Sequence, residues 1–578
     1  MRNARFDVLK GIAIIAVVLY HLGVCKYGYL GVDAFLVIAG YFTMASVQKS
    51  LLQPNRGGYL NFVTSRITRL LPLLLIAGLF SFLLGLFLML PDDFENLSNS
   101  IVATNFFSNN ILQCITTKNY WDVVNDYKPL MHTWYVGLIM QFYLIIPLIY
   151  FLAARYFGSN RKTFVKINIS IFVLSLLMYL FLGTDAEKFY YLPYRLFEFC
   201  AGALVYDWAS KIKKQNKSIK MQGALSVTYV LLLLILFVNE DFISGRVRLI
   251  TTVLLTSLLL YAFKYCETNI KLFSNKLLSV IGASSFSIFV WHQVIFAFTR
   301  YSFTNDLVSF DVVLIMFAII IVLSYLSYKY IERMKINRIT LIAFSILFIF
   351  MTTISLYIHK RAGVIRDVPE LEVVKDNAHR GMWAEYCDRG YEYDKDFSSE
   401  DKPHWFIIGN SFGRDMVNSI LESDVADKVE ISYSNDVRLS KEHTARFDKA
   451  DIVFLSTLGV NEETIEEVKK RVSANCKYYI IGEKNFGECN GQVYRKRFDD
   501  DYFEQTIKVA DRYTQKNEIL KNMYSDIYID ILGMVSCGEG IVRVFTDDGR
   551  FISQDCRHLT KAGAQYYAKL INWGRFLE

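Results

Sequence analysis

Long apolar runs separated by short polar breaks fill the chain as far as about Tyr357. A bilayer core about 30 Å thick is crossed by about 20 apolar residues in a helix. The runs at 9–24, 28–48, 70–91, 130–153, 165–183, 191–208, 221–238, 246–264, 277–299, 308–330 and 339–358 therefore predict about eleven transmembrane helices. The stretch from Ile101 to Tyr120 carries Asn105, Asn109 and Asn110. It is expected to belong to a long external loop, re-entrant or interfacial. After Arg361 the pattern turns polar. Short apolar runs such as Trp405 to Ile408, KADIVFLS and CKYYII then predict buried strands alternating with helices. The expected domains are a membrane domain over 1–358, a linker over 359–400 and a soluble α/β domain over 401–578.

Charge sets the orientation. The breaks predicted to face the cytoplasm hold Lys49, Arg66 and Arg69, then Arg155, Arg161 and Lys162, then Lys211, Lys213 and Lys214, then Lys329, Arg333 and Lys335. The opposite breaks hold Asp92, Asp93, Glu95, Asp185, Glu187, Glu240 and Asp241. That asymmetry places the N-terminus inside, and an odd number of spans places the polar tail outside. Hydrophobic residues make up 53% and charged residues 21% of the 578 positions, a poor composition for a soluble chain. The net charge of +7 does not indicate nucleic-acid binding, because it is distributed over short inter-helix loops. None of the nine cysteines forms a zinc-type C-x-x-C pair, and no metal is expected. In an oxidising compartment the tail cysteines Cys387, Cys476, Cys489, Cys537 and Cys556 have one or two disulfides open to them. The first apolar run reads as a retained helix rather than a cleaved signal, since many more follow.

Ionisable groups inside a membrane are costly, about 2.5–3.5 kcal/mol each on insertion scales, and so mark candidate sites. In LKGIAIIAVVLYH, Lys10 and His21 fall on nearly one helix face, about 16 Å apart along the axis. The plainer alternative is a snorkelling lysine and an interfacial histidine. Asp33 opens the second run, Arg66 and Arg69 precede the third, and His132 precedes the run ending in QFYL. His292 lies deep in SSFSIFVWHQ. Arg195 and Glu198, three residues apart within PYRLFEFCAGAL, are placed to pair.

Together these segments resemble the acyltransferase-three family of membrane acyltransferases. The first helix resembles that family's Arg, ten residues, His signature, with Lys10 in the place of the arginine. That keeps the charge and loses the bidentate fork. GVDAFLVIAGY, SRITRLLP, HTWYVGLIMQFYL and SSFSIFVWHQ are similar to later segments of the family, over roughly residues 1–335. Ile139 and Met140 stand where an acidic pair often precedes the Gln-Phe-Tyr block. The resemblance implies acetyl-CoA as acyl donor, Lys10, Arg66 and Arg69 on its phosphates, His21 as general base or acyl acceptor, and His292, Arg195 and Glu198 in support.

In the tail, HWFIIGNSFGRDM reads as strand, tight turn and helix, with Ser411 at the turn. A helix N-terminus there suits a developing oxyanion. SQDCRHLTKAG supplies Asp555 and His558, and the segment after KADIVFLS supplies Gly459 and Asn461. This is similar to the SGNH hydrolase fold, an α/β sandwich with a parallel sheet. The resemblance implies Ser411 as nucleophile, His558 as its base, Asp555 orienting His558, and Gly459 with Asn461 near the oxyanion. Asn410 and Phe412 depart from the Gly-Asp-Ser pattern, and the separate oxyanion glycine has no counterpart.

The expected function is transfer of an acetyl group from cytoplasmic acetyl-CoA across a bacterial inner membrane to hydroxyls of a cell-envelope, capsular or O-antigen glycan. The competing expectations are a glycan-ester hydrolase, an exporter of an acylated intermediate, and a sensor with a glycan-binding tail.

Overall fold

The computed structural model describes residues 4–52, 58–116, 123–158, 161–209, 219–265, 275–303, 309–436 and 443–578. Contacts divide the chain into two compact units. The first is Met1–Gly85 with Leu97–Leu356; the second is Leu86–Asn96 with Tyr357–Glu578.

The first unit is helical. Its elements begin with α1 (Ala4–His21), α2 (Gly31–Leu52), α3 (Gly58–Leu88), α4 (Pro91–Asn105) and α5 (Asn109–Thr116). They continue with α6 (Trp134–Phe157), α7 (Arg161–Phe181), α8 (Asp185–Tyr190), α9 (Leu192–Ala209), α10 (Ile219–Phe237) and α11 (Gly245–Tyr265). The last are α12 (Lys276–Ala283), α13 (Ser285–Ser302), α14 (Phe310–Tyr330) and α15 (Arg338–Lys360). Among the described residues, 7 helices are long and apolar enough to cross a membrane, or up to 8 if α12 and α13, bent by 72° at their junction, count as one span. This is a multi-pass membrane protein. Ile319, Ile321 and Val322 on α14 are exposed, as expected of a surface that faces lipid.

Each of the eleven predicted runs coincides with a helix, but α1, α9 and α10 fall outside that count. α10 is short, with its apolar part at Gln222–Phe237. α1 carries Arg5, Asp7 and Lys10, and α9 carries Arg195, Glu198 and Asp207. Both are largely buried in the unit. The loop expected from Ile101 to Tyr120 is instead helical up to Thr116, in α4 and α5; residues 117–120 lie outside the described ones. Its asparagines are buried and bonded: Asn109 Nδ2 donates to Leu130 O at 2.9 Å, and Asn110 Nδ2 to Tyr190 O at 3.0 Å. Side-chain amides that find partners no longer force a solvated loop.

α2 packs against α9 at very short range. A Cβ on Gly40 would collide with the Phe199 carbonyl, and one on Gly202 with that of Val37. Small residues let membrane helices approach in this way. The same interface buries Arg195, whose Nη2 is 2.7 Å from Asp33 and whose Nε is 3.2 Å from Glu198.

In the second unit, residues 359–400 were expected as a linker. They carry α16 (Met382–Asp388) and an apolar cluster of Val364, Val373 and Ala378 with Met382 and Trp383. Then come β1 (His404–Ile408), α17 (Ser411–Leu421), β2 (Glu430–Ser434), α18 (Thr444–Lys449), β3 (Ile452–Leu455), α19 (Glu462–Arg471) and β4 (Lys477–Ile481). They are followed by α20 (Gly491–Tyr494), β5 (Thr506–Lys508), α21 (Asp511–Met523), β6 (Tyr528–Ile529), β7 (Ser536–Gly538), β8 (Ile541–Arg543) and α22 (Lys561–Ile571). A parallel sheet runs β2-β1-β3-β4-β6. β3 is buried throughout, and so is β1 from Trp405 onward, as befits parallel strands covered on both faces. A small antiparallel sheet, β5-β8-β7, stands apart. The five tail cysteines are free thiols in this structure.

Arg195→Ala leaves two buried carboxylates without their cation, so the membrane unit should lose about 3–5 kcal/mol. The check is the thermal midpoint of the detergent-solubilised chain; an unchanged midpoint would refute the role given to this ion cluster.

Candidate functional site

The tail site is built at the carboxyl end of the parallel sheet. The chain order reverses between β1 and β3, and such switch points open a crevice above the strand ends. β1 ends at Ile408, and α17 starts three residues later with Ser411. The turn between them is tight because a Cβ on Gly409 would strike the Ser456 carbonyl. Asn410 caps the helix: its Oδ1 accepts from Phe412 N at 3.1 Å and from Leu458 N at 3.2 Å. Tyr433 Oη donates to the carbonyls of Gly409 and Asn410 at 2.9 and 3.0 Å. The nucleophile-bearing turn is thus fixed from both sides.

His558 reaches it from the segment before α22. His558 Nε2 lies 2.8 Å from Ser411 Oγ, and His558 Nδ1 lies 2.6 Å from Asp555 Oδ2. Asp555 Oδ1 accepts from the main-chain N–H of His558 at 2.7 Å and of Arg557 at 3.1 Å. Cys556, between them, has φ of +66°. This sparsely populated conformation folds Asp555 back onto His558. Burial works against an ionised Asp555, but the His558 ring and the two N–H groups outweigh it and hold its carboxyl down at about 2. An anionic carboxylate on Nδ1 fixes the imidazole orientation and leaves Nε2 to take the Ser411 proton. Ser411, His558 and Asp555 therefore stand in one hydrogen-bonded series, the arrangement that a nucleophile, its base and an orienting group require.

Two further tail residues were not singled out from the sequence. Asp415 and Lys484 are fully buried, with Lys484 Nζ 2.9 Å from Asp415 Oδ2. The same oxygen accepts from Leu559 N at 3.1 Å, holding the residue next to His558. Asp415 lies one helical turn after Ser411, a spacing that places the two on one side of α17; this was the available signal. The expected oxyanion pair makes other hydrogen bonds, for Asn461 through its acceptor Oδ1 only. Gly459 N donates to Glu483 at 2.9 Å, and Asn461 Oδ1 caps α19 by accepting from Thr464 N at 2.9 Å. Neither has a hydrogen bond to the triad in this structure.

In the membrane unit, Lys10, Arg66 and Arg69 line one cavity of about 330 Å³ together with Ser46, Tyr143 and Phe289. The Arg66 guanidinium lies over the rings of Phe62 and Tyr143, at 4.8 and 5.1 Å, and donates to Ser46 Oγ at 3.3 Å. Its buried Nε has no hydrogen-bond partner. Three cations around a half-apolar cavity suit a polyanionic ligand with an apolar arm. His21, at the end of α1, does not line this cavity. It packs with His292 at a ring separation of 5.2 Å, and His292 packs with His132 at 5.4 Å. Arg195 and Glu198 lie apart from the cavity lining, in the ion cluster with Asp33.

The profile of a family described as "Acyltransferase domain" matches residues 3–329. The chain belongs to this acyltransferase family. The matched region holds the basic cavity and all three imidazoles, and it stops short of the tail. Among curated relatives, the peptidoglycan O-acetyltransferase OatA of Listeria monocytogenes is 27% identical over 308 residues, 51% of this chain and 49% of that protein. The O-acetyltransferase OatA of Staphylococcus aureus is 25% identical over 343 residues, 56% of each chain. The chain thus spans about half the length of the curated relatives it matches. No solved structure matches it.

Two outcomes test the tail site. Labelling of Ser411 by a fluorescent phosphonofluoridate on the full chain should slow by about 10²–10⁴-fold in His558→Gln, the usual worth of a positioned base; labelling at the wild-type rate would show that Ser411 is not activated. The Asp555 carboxyl sits below its ordinary value of 3.8, so its interaction stabilises the fold above about pH 4 and is lost as pH falls towards about 2. The stability difference between wild type and Asp555→Asn should therefore be full at neutral pH and vanish in strong acid, as followed by fluorescence-detected unfolding.

Proposed function

We propose that this protein is a two-part O-acetyltransferase of a bacterial cell membrane. The basic inter-helix loops support an N-terminus in the cytoplasm and, with an odd number of spans, a tail outside. The membrane unit takes an acetyl group from cytoplasmic acetyl-CoA, with Lys10, Arg66 and Arg69 receiving the phosphates and His21 the acyl group. The tail, of SGNH type, sets the acetyl group on a hydroxyl of a cell-envelope glycan. Peptidoglycan is the first candidate, from the name of the Listeria relative.

The observation that carries this reading is the hydrogen-bonded series Asp555–His558–Ser411 on a chain of an acyltransferase family. In the tail, Ser411 Oγ attacks the acetyl carbonyl as its proton passes to His558 Nε2, and His558 hands that proton to the acyl donor as it leaves. The glycan hydroxyl then attacks acetyl-Ser411, its proton passes to His558, and His558 returns it to Ser411 Oγ as the ester bond to Ser411 breaks. A covalent tether keeps donor and acceptor sites at an effective concentration of roughly millimolar.

The same triad supports a hydrolase reading, since water in place of the glycan hydroxyl releases acetate. Mass spectrometry of envelope glycans separates the two. Ser411→Ala and His21→Ala cells should both lose acetyl esters. A gain of esters in Ser411→Ala would make the tail an esterase, and unchanged esters in both variants would sink the transferase.

A further inference from the structure

Three imidazoles meet inside the membrane unit. His21 ends α1, His132 stands just before α6, and His292 lies within α13. They are 7%, 1% and 0% exposed. His21 Nδ1 and His292 Nε2 make no hydrogen bond within the protein, and the His132 ring meets only the backbone of Val290 and Pro129, outside good hydrogen-bond geometry. Buried polar atoms left without partners cost stability and call for a reason. The ring of Phe289, which borders the basic cavity, packs against His132 at 5.1 Å and against His292 at 5.7 Å. The imidazoles therefore begin where the cavity ends. His292 Nδ1 lies 3.2 Å from the Ile288 carbonyl. That contact puts its proton on Nδ1 and leaves Nε2 as a proton acceptor. At ring separations of 5.2 and 5.4 Å, imidazoles turned edge to edge put facing nitrogens at about 3 Å, the distance of a hydrogen bond.

We propose that His292 and His132 form a proton relay for acyl transfer to His21, at the head of the cavity. The inference rests on the reading that the membrane unit takes acetyl from a thioester. One ring nitrogen of His21 attacks the thioester carbonyl; the C–N bond forms, the C–S bond breaks, and the thiolate leaves. The other ring nitrogen of His21 gives its proton to Nε2 of His292. His132, packed against the His292 ring, shares that proton and returns it to the thiolate. The products are acetyl-His21 and free thiol, with no other reactant. When an acceptor hydroxyl takes the acetyl group, its proton restores His21.

The test is a partial reaction that needs no glycan. The full chain in vesicles is given acetyl-CoA and radiolabelled CoA, and exchange of label between them is followed. Wild type should exchange and His21→Ala should not. His132→Gln and His292→Gln should each lower kcat by about 100-fold while KM for acetyl-CoA stays within about twofold, and free imidazole should restore part of the rate in His132→Gly. Exchange at the wild-type rate in both glutamine variants overturns the relay and leaves the proposed function standing. Loss that imidazole does not rescue, with a lowered thermal midpoint, also overturns it, as a packing role. Absence of exchange in wild type overturns the relay together with the thioester reading.

Discussion

Everything in the membrane unit hangs on how one arginine is held. Arg195 is 2% exposed, and its two partners come from different places: Glu198 from its own helix, Asp33 from α2. In an apolar interior the attraction is strong but the desolvation is too, and such a cluster persists only where geometry is good. The glycines at Gly40 and Gly202 supply that geometry, by letting the two helix backbones touch. The consequence reaches the cavity. α2 is pinned to α9 along one face, so its Phe35, Ile38, Phe42 and Ser46 become a fixed wall around Lys10, Arg66 and Arg69. A wall that shifted would change the spacing of the cations that face it.

The tail solves its positioning problem differently. Its reactive groups sit at chain turns, where backbone is least constrained, so hydrogen bonds must do what helix packing does in the membrane. Asn410 ties the turn before Ser411 to the turn after β3 through Phe412 N and Leu458 N. Asp415 ties α17 to the residue beside His558, and Lys484 balances its buried charge. Ser411 and His558 thus share one rigid support, α17, although 147 residues separate them. Orientation held this tightly converts a chance encounter into a standing near-attack geometry.

Much of this was legible in the sequence because it is written locally. Apolar runs mark the helices, and Ser411, Asp555 and His558 stand in short patterns whose spacing carries meaning. What stayed hidden is non-local. Nothing near Arg195 in the chain points to Asp33, 162 residues away, so the expectation paired it with Glu198 alone. The asparagines between Ile101 and Tyr120 suggested a solvated loop because their partners, Leu130 and Tyr190, lie on other segments. Gly459 and Asn461 matched a pattern whose surroundings the sequence did not show: Gly459 N meets Glu483, and Asn461 Oδ1 caps α19 through Thr464 N. The apolar runs did mark α1 and α9, and the charged residues that set these two helices apart from the other spans are the ones the structure uses: Lys10 borders the cavity and Arg195 fixes its wall.

The histidines of the two units show how one side chain serves different ends. His558 is engaged at both nitrogens, by Asp555 and by Ser411. Its ring orientation is set before any substrate arrives, which is what a base requires. The membrane imidazoles are engaged at few or none of theirs. A ring without fixed partners has no preferred tautomer, whereas His292, with Nδ1 at the Ile288 carbonyl, keeps only Nε2 open. Fixed bonds make a histidine a directed base for one hydroxyl. Under the proposed relay, their absence leaves the membrane rings free to act as carriers. The same residue type is then bonded where a single proton must move in one direction, and unbonded where a group must change hands.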